Sequence, residues 1–251
     1  MRVLRAGDRR SASRSATRAL DVLELFGELR RPLRAVEIAR RFELHPSTAN
    51  QLLKTMVESA HLTFEAGTKT YLPSPRLTRF GSWLAETYGG DGRLRALVAD
   101  LRRQCGEVIT LTTPNDLFMQ VIDHAGADFA DANRTGQAER GLRVSMFGSA
   151  IGAAYLSTLP ASEVRRLAER ARIPAAEHQA LHAMLAAVRI DGYASSQSSE
   201  GSVASVAVPL SASNIGVPLV LGLAGPAERV GPQSSGLATA MRSAIARLSA
   251  S

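Results

Sequence analysis

The chain has 251 residues, 45% of them hydrophobic and 21% charged, an ordinary balance for a globular protein of one large domain or two small ones. No apolar run approaches the roughly 18 residues of a membrane span, the basic start Met1–Ala16 has no apolar secretory core, and one cysteine, Cys105, excludes an internal disulfide or a cysteine-based metal cluster. The net charge of +7 lies wholly in the first third, where residues 1–80 carry 15 basic against 8 acidic side chains while residues 81–251 carry 15 of each. A basic head on a neutral body points to a polyanion-binding module joined to one with another task.

Residues 1–13 are Arg- and Ser-rich without apolar periodicity and are expected to be a disordered basic tail. Without the tail's five basic residues and one acidic residue, counted over Met1–Arg14, the first third still carries +3. From Thr17, the residues Ala19, Leu20, Val22, Leu23, Leu25 and Phe26 predict an amphipathic helix ending near Gly27 and Pro32. Val36, Ile38, Ala39 and Phe42 give a second short helix. Pro46 then suits the first turn of a third, where a missing N–H costs nothing. Ala49, Leu52, Leu53, Met56 and Val57 form the apolar face of that third helix. His61–Phe64 and Thr70–Leu72 read as short strands around the glycine-containing connection Glu65–Lys69. Three helices and a hairpin describe a winged helix-turn-helix over residues 14–75. Residues 76–92 continue as a linker helix, stopped by the hinge Gly89-Gly90-Asp91-Gly92.

The body, 93–251, alternates helix and strand signals. Leu94–Cys105, Gly148–Leu159, Ala161–Arg172, Glu177–Ile190 and Pro232–Leu248 read as helices. Val108–Leu111, Leu117–Ile122, Val203–Pro209 and Val217–Leu223 read as strands, with a turn at Thr113–Asp116. Antiparallel pairs with helices between and after them predict an α+β body, one antiparallel sheet covered by helices.

At 100° per residue the third helix turns Ser47, Gln51, Lys54 and Glu58 away from its apolar face, flanked by Asn50 and Thr55. Taken alone this is the solvated polar face of most surface helices. Its context argues for more: it follows another helix after a tight turn, a β-ribbon succeeds it, and Lys69 falls at the ribbon's tip. Asn and Gln can hold adenine bidentately in the major groove, while Ser, Thr and Lys serve phosphates. Ser47, Thr48, Asn50, Gln51 and Lys54 of the helix, with Lys69 and Tyr71 of the ribbon, are the candidate DNA contacts.

Arg18–Phe26 resembles the opening helix of the isocitrate lyase regulator (IclR) family of bacterial transcription factors. Glu37–Leu44 with Ser47-Thr48 and Leu52-Leu53 is similar to its helix-turn-helix, and Thr70-Tyr71-Leu72 with Pro75-Arg76-Leu77 to its wing and exit. In the body, Gly148–Ala154, Gly192-Tyr193, Glu200-Gly201, Ala207–Leu210 and Gly225-Pro226-Ala227 follow the family's order, so the resemblance spans about residues 14–250. It implies a homodimer or dimer of dimers reading a palindromic operator in double-stranded DNA. It also implies a GAF-like effector-binding domain whose small molecule, commonly a carboxylate or aromatic metabolite, changes operator affinity.

The departures from the family pattern are local. Pro46 replaces a frequent lysine, and Asn50-Gln51 a frequently basic or histidine-containing pair. Ser196 stands near a usual acidic position, Ser205 at a frequent cysteine, and Gly222 and Ala224 at frequent serines. The implied effector site, with Val144, Ala150, Ile151, Ser196, Ser205 and Gly222, is therefore expected to take a less polar ligand than is usual.

Gly148-Ser149-Ala150-Ile151-Gly152 has its serine one place too early for a nucleophile elbow and lacks an accompanying His and Asp signature. His178 and His182 lie one helical turn apart but have no nameable third ligand. No catalytic residue, metal or cofactor is expected. The sequence thus describes a cytoplasmic, ligand-responsive DNA-binding regulator. Two alternatives remain: a regulator whose body only oligomerises, and an enzyme whose basic head binds an acidic substrate or RNA.

Overall fold

The computed structural model describes residues 3–4, 14–82, 92–126, 142–210 and 217–249. The chain divides into two units, Arg9–Glu86 and Met1–Asp8 with Thr87–Ser251.

In the first of these, α1 spans Arg14–Leu29. It ends between Gly27 and Pro32, where the sequence signal placed its end, and the buried Val22, Leu25 and Phe26 hold its last turns down. Arg30 ends it with φ +50° and donates its N–H to the Phe26 carbonyl at 2.8 Å. Strand β2 (Leu33–Arg34) leads into α2 (Ala35–Arg41). There Glu37 accepts the Arg34 N–H at 2.8 Å and an Arg31 guanidinium N–H at 2.7 Å, and the Arg31 bond holds its carboxyl below the usual range. Val36, assigned to the apolar face of this helix, is 60% exposed; Ile38 and Ala39 carry the burial. Glu43, at φ +52°, and a Leu44 N–H bond to Ala39 make the tight turn into α3 (Pro46–Glu58). Strands β3 (Leu62–Glu65) and β4 (Thr70–Pro73) form the wing. They pair from Leu62↔Pro73 to Glu65↔Thr70, and β4 also pairs with β2. Val22, Phe26, Leu33, Ile38, Leu53 and Met56 form one core beneath the three helices. Pro75–Leu77 is a 3-10 turn, followed by helical residues at 78–82. The rest of the expected linker helix and the hinge residues 89–91 lie outside the described residues.

The second unit is built on a seven-stranded antiparallel sheet, in order β1-β7-β6-β5-β10-β9-β8. Its strands are β1 (Val3–Leu4), β5 (Val108–Asn115), β6 (Phe118–Ala125), β7 (Arg143–Ser145), β8 (Ala194–Gln197), β9 (Val203–Leu210) and β10 (Leu219–Pro226). Along β9 the side chains alternate: Ala204, Val206 and Val208 join Leu101 and Met241 in one core layer, while Ala207 joins Leu156 and Leu185 in the other. The first layer lies under α4 (Arg93–Cys105) and α9 (Ser234–Ser249). The second lies under α5 (Ala150–Ser157), α6 (Ala161–Arg170) and α7 (His178–Asp191). A four-residue helix, α8 (Ala227–Val230), follows β10. The sheet is thus covered on both faces.

Two elements differ from the sequence reading. Strand β5 continues through Thr113 and Pro114, which had been assigned to a turn; the turn falls at Asp116, with φ +58°. The β5–β10 ladder ends at Thr112, so Pro114 interrupts no pairing with β10. Within the segment expected to be a disordered tail, Val3–Leu4 pairs with Val144 and Arg143 at the edge of the sheet.

Glu107, only 8% exposed, lies where a Cβ on Gly225 would come within 2.2 Å of its Oε2, so the glycine makes room for the carboxylate. Arg229 grips it with two charge-assisted bonds, Nε to Oε1 at 2.7 Å and Nη2 to Oε2 at 3.1 Å. Arg229→Ala is expected to destabilise this unit, because it leaves the buried Glu107 carboxylate without its charged partner. A lowered urea midpoint would register it.

Candidate functional site

The first helix turn of α3 is shaped by His45 and Pro46. His45 is the N-cap, with Nδ1 2.8 Å from the Ser47 hydroxyl and 3.4 Å from the Ser47 N–H; Pro46 occupies the first helical position. With Nδ1 accepting, as its capping of the Ser47 N–H requires, the Ser47 hydroxyl donates to the ring. Ala49, Leu53 and Met56 are buried, whereas Ser47, Thr48, Asn50, Gln51 and Lys54 are all exposed. The helix therefore presents a polar face from a rigid base. Lys54 Nζ is 3.7 Å from Glu58 Oε1, but both side chains are mostly solvated, so this pair holds the lysine only weakly. The Thr55 hydroxyl donates back to the Gln51 carbonyl at 3.0 Å, which leaves the Gln51 amide unengaged by it. Arg18 of α1 lines the same groove as Ser47, Thr48 and Gln51, a cation beside the reading face that the sequence did not single out.

On the wing, Lys69 is exposed at φ +56°, next to a 2.7 Å contact between the Thr68 and Thr70 hydroxyls. The Gly67 N–H donates to Glu65 Oε1 at 3.0 Å and closes the loop. Tyr71 is half-buried, its ring 4.8 Å from that of Phe64 and packed on the core of the unit. Its ring is therefore a wall of the wing as well as a candidate contact.

In the other unit, α5 begins at a serine cap. Ser149 Oγ accepts the Gly152 N–H at 3.2 Å and donates to the Ser145 carbonyl at 2.7 Å. The Ala150 N–H donates across to Ser196 Oγ on β8 at 3.1 Å, and Ser196 faces Ser205 in the β8–β9 ladder. Below the helix start, Gly222 of β10 sits where an added Cβ would meet Thr110 Oγ1 at 2.6 Å and Ile151 Cγ2 at 2.8 Å. Ala150, Ile151, Ser196, Ser205 and Gly222 thus gather around one helix end. Val144 is buried on β7, three strands from Gly222, or roughly 14 Å at the usual strand spacing. Thr110 joins the group through its register with Gly222, which no local sequence pattern marks.

The remaining titratable candidates are engaged elsewhere. His178 Nε2 lies 3.2 Å from the Ile173 carbonyl, and no group of three or more His, Cys, Asp or Glu side chains gathers among the described residues. Burial, and then the Glu107 carboxylate, push the Cys105 thiol up, away from the reactive thiolate. No helix among the described residues is long and apolar enough to cross a membrane.

Comparison with known proteins gives the same division. The family model for the IclR helix-turn-helix domain matches residues 15–62, and that for the bacterial transcriptional regulator IclR C-terminal domain matches residues 93–250. The HTH-type transcriptional regulator XynR of Escherichia coli (strain K12) is 26% identical over 206 residues, which span 78% of this chain and 79% of that protein. The crystal structure of an IclR family regulator from Brucella abortus shares the fold with a TM-score of 0.54 at 23% identity, over 98% of this chain and 96% of that one. One from Alicyclobacillus acidocaldarius does so with a TM-score of 0.56 at 21% identity, over 95% and 98%. The chain belongs to the IclR family of bacterial transcriptional regulators, with an N-terminal helix-turn-helix DNA-binding domain and a C-terminal effector-binding domain.

Proposed function

We propose that this chain works in the cytoplasm as a homodimer, or dimer of dimers, that reads a palindromic operator and releases or grips it as a small molecule binds the C-terminal domain. Residues 14–75 act as the reading head, 76–92 as the connection, and 93–251 as the sensor and oligomerisation body. The observation that carries the reading is the exposed face Ser47–Lys54 on a helix anchored by Ala49, Leu53 and Met56. In this assignment Gln51 and Asn50 read base edges. Ser47, Thr48, Lys54, Lys69 and Tyr71 hold the backbone.

The sensor site is assigned to Ala150, Ile151, Ser196, Ser205 and Gly222, with Val144 as an outer wall, and to a ligand less polar than the carboxylates common in the family. A coupling of about 1–3 kcal/mol between ligand and operator would suffice for regulation. The protein is not assigned a catalytic role. Its relatives are regulators, and the polar groups around α5 serve as caps and ladder partners.

The test is selection of bound duplexes from random DNA, with and without cell metabolites, followed by titration at several salt concentrations. Sequence-selective, salt-sensitive binding is the expected result; its absence would sink the reading. Lys69→Ala is expected to weaken specific and non-specific duplexes alike and to lower the slope of log affinity against log salt by roughly one. An unchanged slope would remove the wing from the interface.

A further inference from the structure

We propose that the outer face of α7, formed by Ala180, Ala183, Met184, Ala187 and Ile190, is a contact with the same face of a second copy of this chain. The proposal rests on the reading of the protein as a self-associating regulator and goes beyond it in placing one of the contacts.

Helix α7 carries apolar side chains on both sides. On the inner side Leu185 and Val188 are buried, and Leu181 packs on the same core layer. At 100° per residue Ala180, Ala183 and Ala187 point away from Leu185, with Met184 and Ile190 on either flank. All five are exposed, Ile190 at 85% and Met184 at 41%. Its neighbour α6 is built differently: Val164, Leu167 and Ala168 are buried, and the opposite side offers Arg165, Arg166, Glu169 and Arg170 to water. The one arginine of α7 is turned off the outer face, because Arg189 donates to the Ser157 and Leu159 carbonyls at 2.8 and 3.1 Å. A helix that is apolar on two opposite sides calls for cover on both.

Size and symmetry select the occupant. The 14 residues of α7 make a face about 21 Å long and, at a helix width of about 10 Å, on the order of 200 Å² in footprint. Each side of a stable, free-standing interface buries about 800 Å². A separate protein held by this face alone would therefore be held weakly. A second copy is not limited in this way: a symmetric assembly already joined elsewhere presents the face to its own image at high local concentration. None of the five side chains is charged, which removes nucleic acid as the occupant. The face also fits its image. An antiparallel pairing about the middle of the helix sets Ala180 against Ala187, so the two backbones approach closely, and Met184 and Ile190 close the flanks.

The experiment uses the full chain, followed by sedimentation velocity over a concentration series. Ala187→Glu, at an exposed position where glutamate is nearly as good a helix former as alanine, is expected to halve the stoichiometry of the largest assembly and to keep the parent's circular dichroism. Ile190→Lys is expected to do the same from the edge of the face. Mixing Ala187→Glu with Ala180→Lys is expected to restore the larger assembly, because the two charges then oppose each other, a rescue that damage to the fold would not show.

Unchanged stoichiometry in Ala187→Glu and Ile190→Lys overturns the contact and leaves the reading of the protein as an oligomeric DNA-binding regulator standing. A mixture that stays dissociated overturns the pairing of Ala180 with Ala187. A parent that is a monomer at every concentration overturns the contact together with the self-association on which it rests.

Discussion

Gly152→Ala is expected to destabilise the effector domain by about 3 kcal/mol or more, at or above the upper end of what overpacking a core usually costs. A Cβ at this position would stand 1.8 Å from the Met146 carbonyl oxygen and 2.5 Å from its carbon. Neither neighbour is free to retreat. Met146 is 1% exposed in the core, its N–H bonded to the Leu117 carbonyl at 3.0 Å, and the Gly152 N–H is held by the Ser149 cap. Helix α5 must therefore lift off the segment before it, and with it the Ala150–Ser196 bond that defines the candidate sensor site. Urea denaturation should show a lower midpoint with little change in slope. An alanine variant as stable as the parent would mean that this helix start does not pack as described.

The second large effect concerns recognition. Gln51→Ala is expected to cost about 1–3 kcal/mol per half-site, or roughly 5- to 150-fold in affinity, and to flatten the preference at one base pair in each. The substitution is otherwise mild: position 51 is exposed, and alanine is the best helix former, so the fold should be untouched. The readout is therefore the sequence profile, not affinity alone. Selection from random DNA that returns the parent profile from Gln51→Ala would show that Gln51 reads no base. Uniform weakening across all sequences would make it a phosphate contact.

What could be read before the structure follows from the range over which each signal acts. The α3 face was legible because a helix turns its own neighbours inward at fixed spacing, and Pro46 marked its start. The apolar face of α2 was legible only in part, because in so short a helix the packing of Ile38 and Ala39 against the rest of the unit, not local spacing, leaves Val36 60% exposed. Strand β8 carries Ser195, Ser196 and Gln197 with no apolar alternation; its pairing with β9 makes it a strand. The sensor site was legible only in part for a similar reason. Ala150, Ile151, Ser196, Ser205 and Gly222 share one neighbourhood, but the strand order puts two strands between Val144 and Gly222, and Thr110 enters only through its register with Gly222.

Strand β1 has a consequence for how the molecule comes apart. Because Val3–Leu4 belongs to the seven-stranded sheet, the winged helix is an insertion in the chain of the sensor domain, leaving it after β1 and rejoining it before α4. A protease that cuts only between residues 83 and 91 leaves the reading head attached to a strand that is still laddered to β7. After such a nick the sensor sheet keeps its edge strand through a two-residue ladder in place of a covalent link. Removing the first eight residues turns the insertion into a simple end-to-end fusion, in which one backbone connection joins the two units.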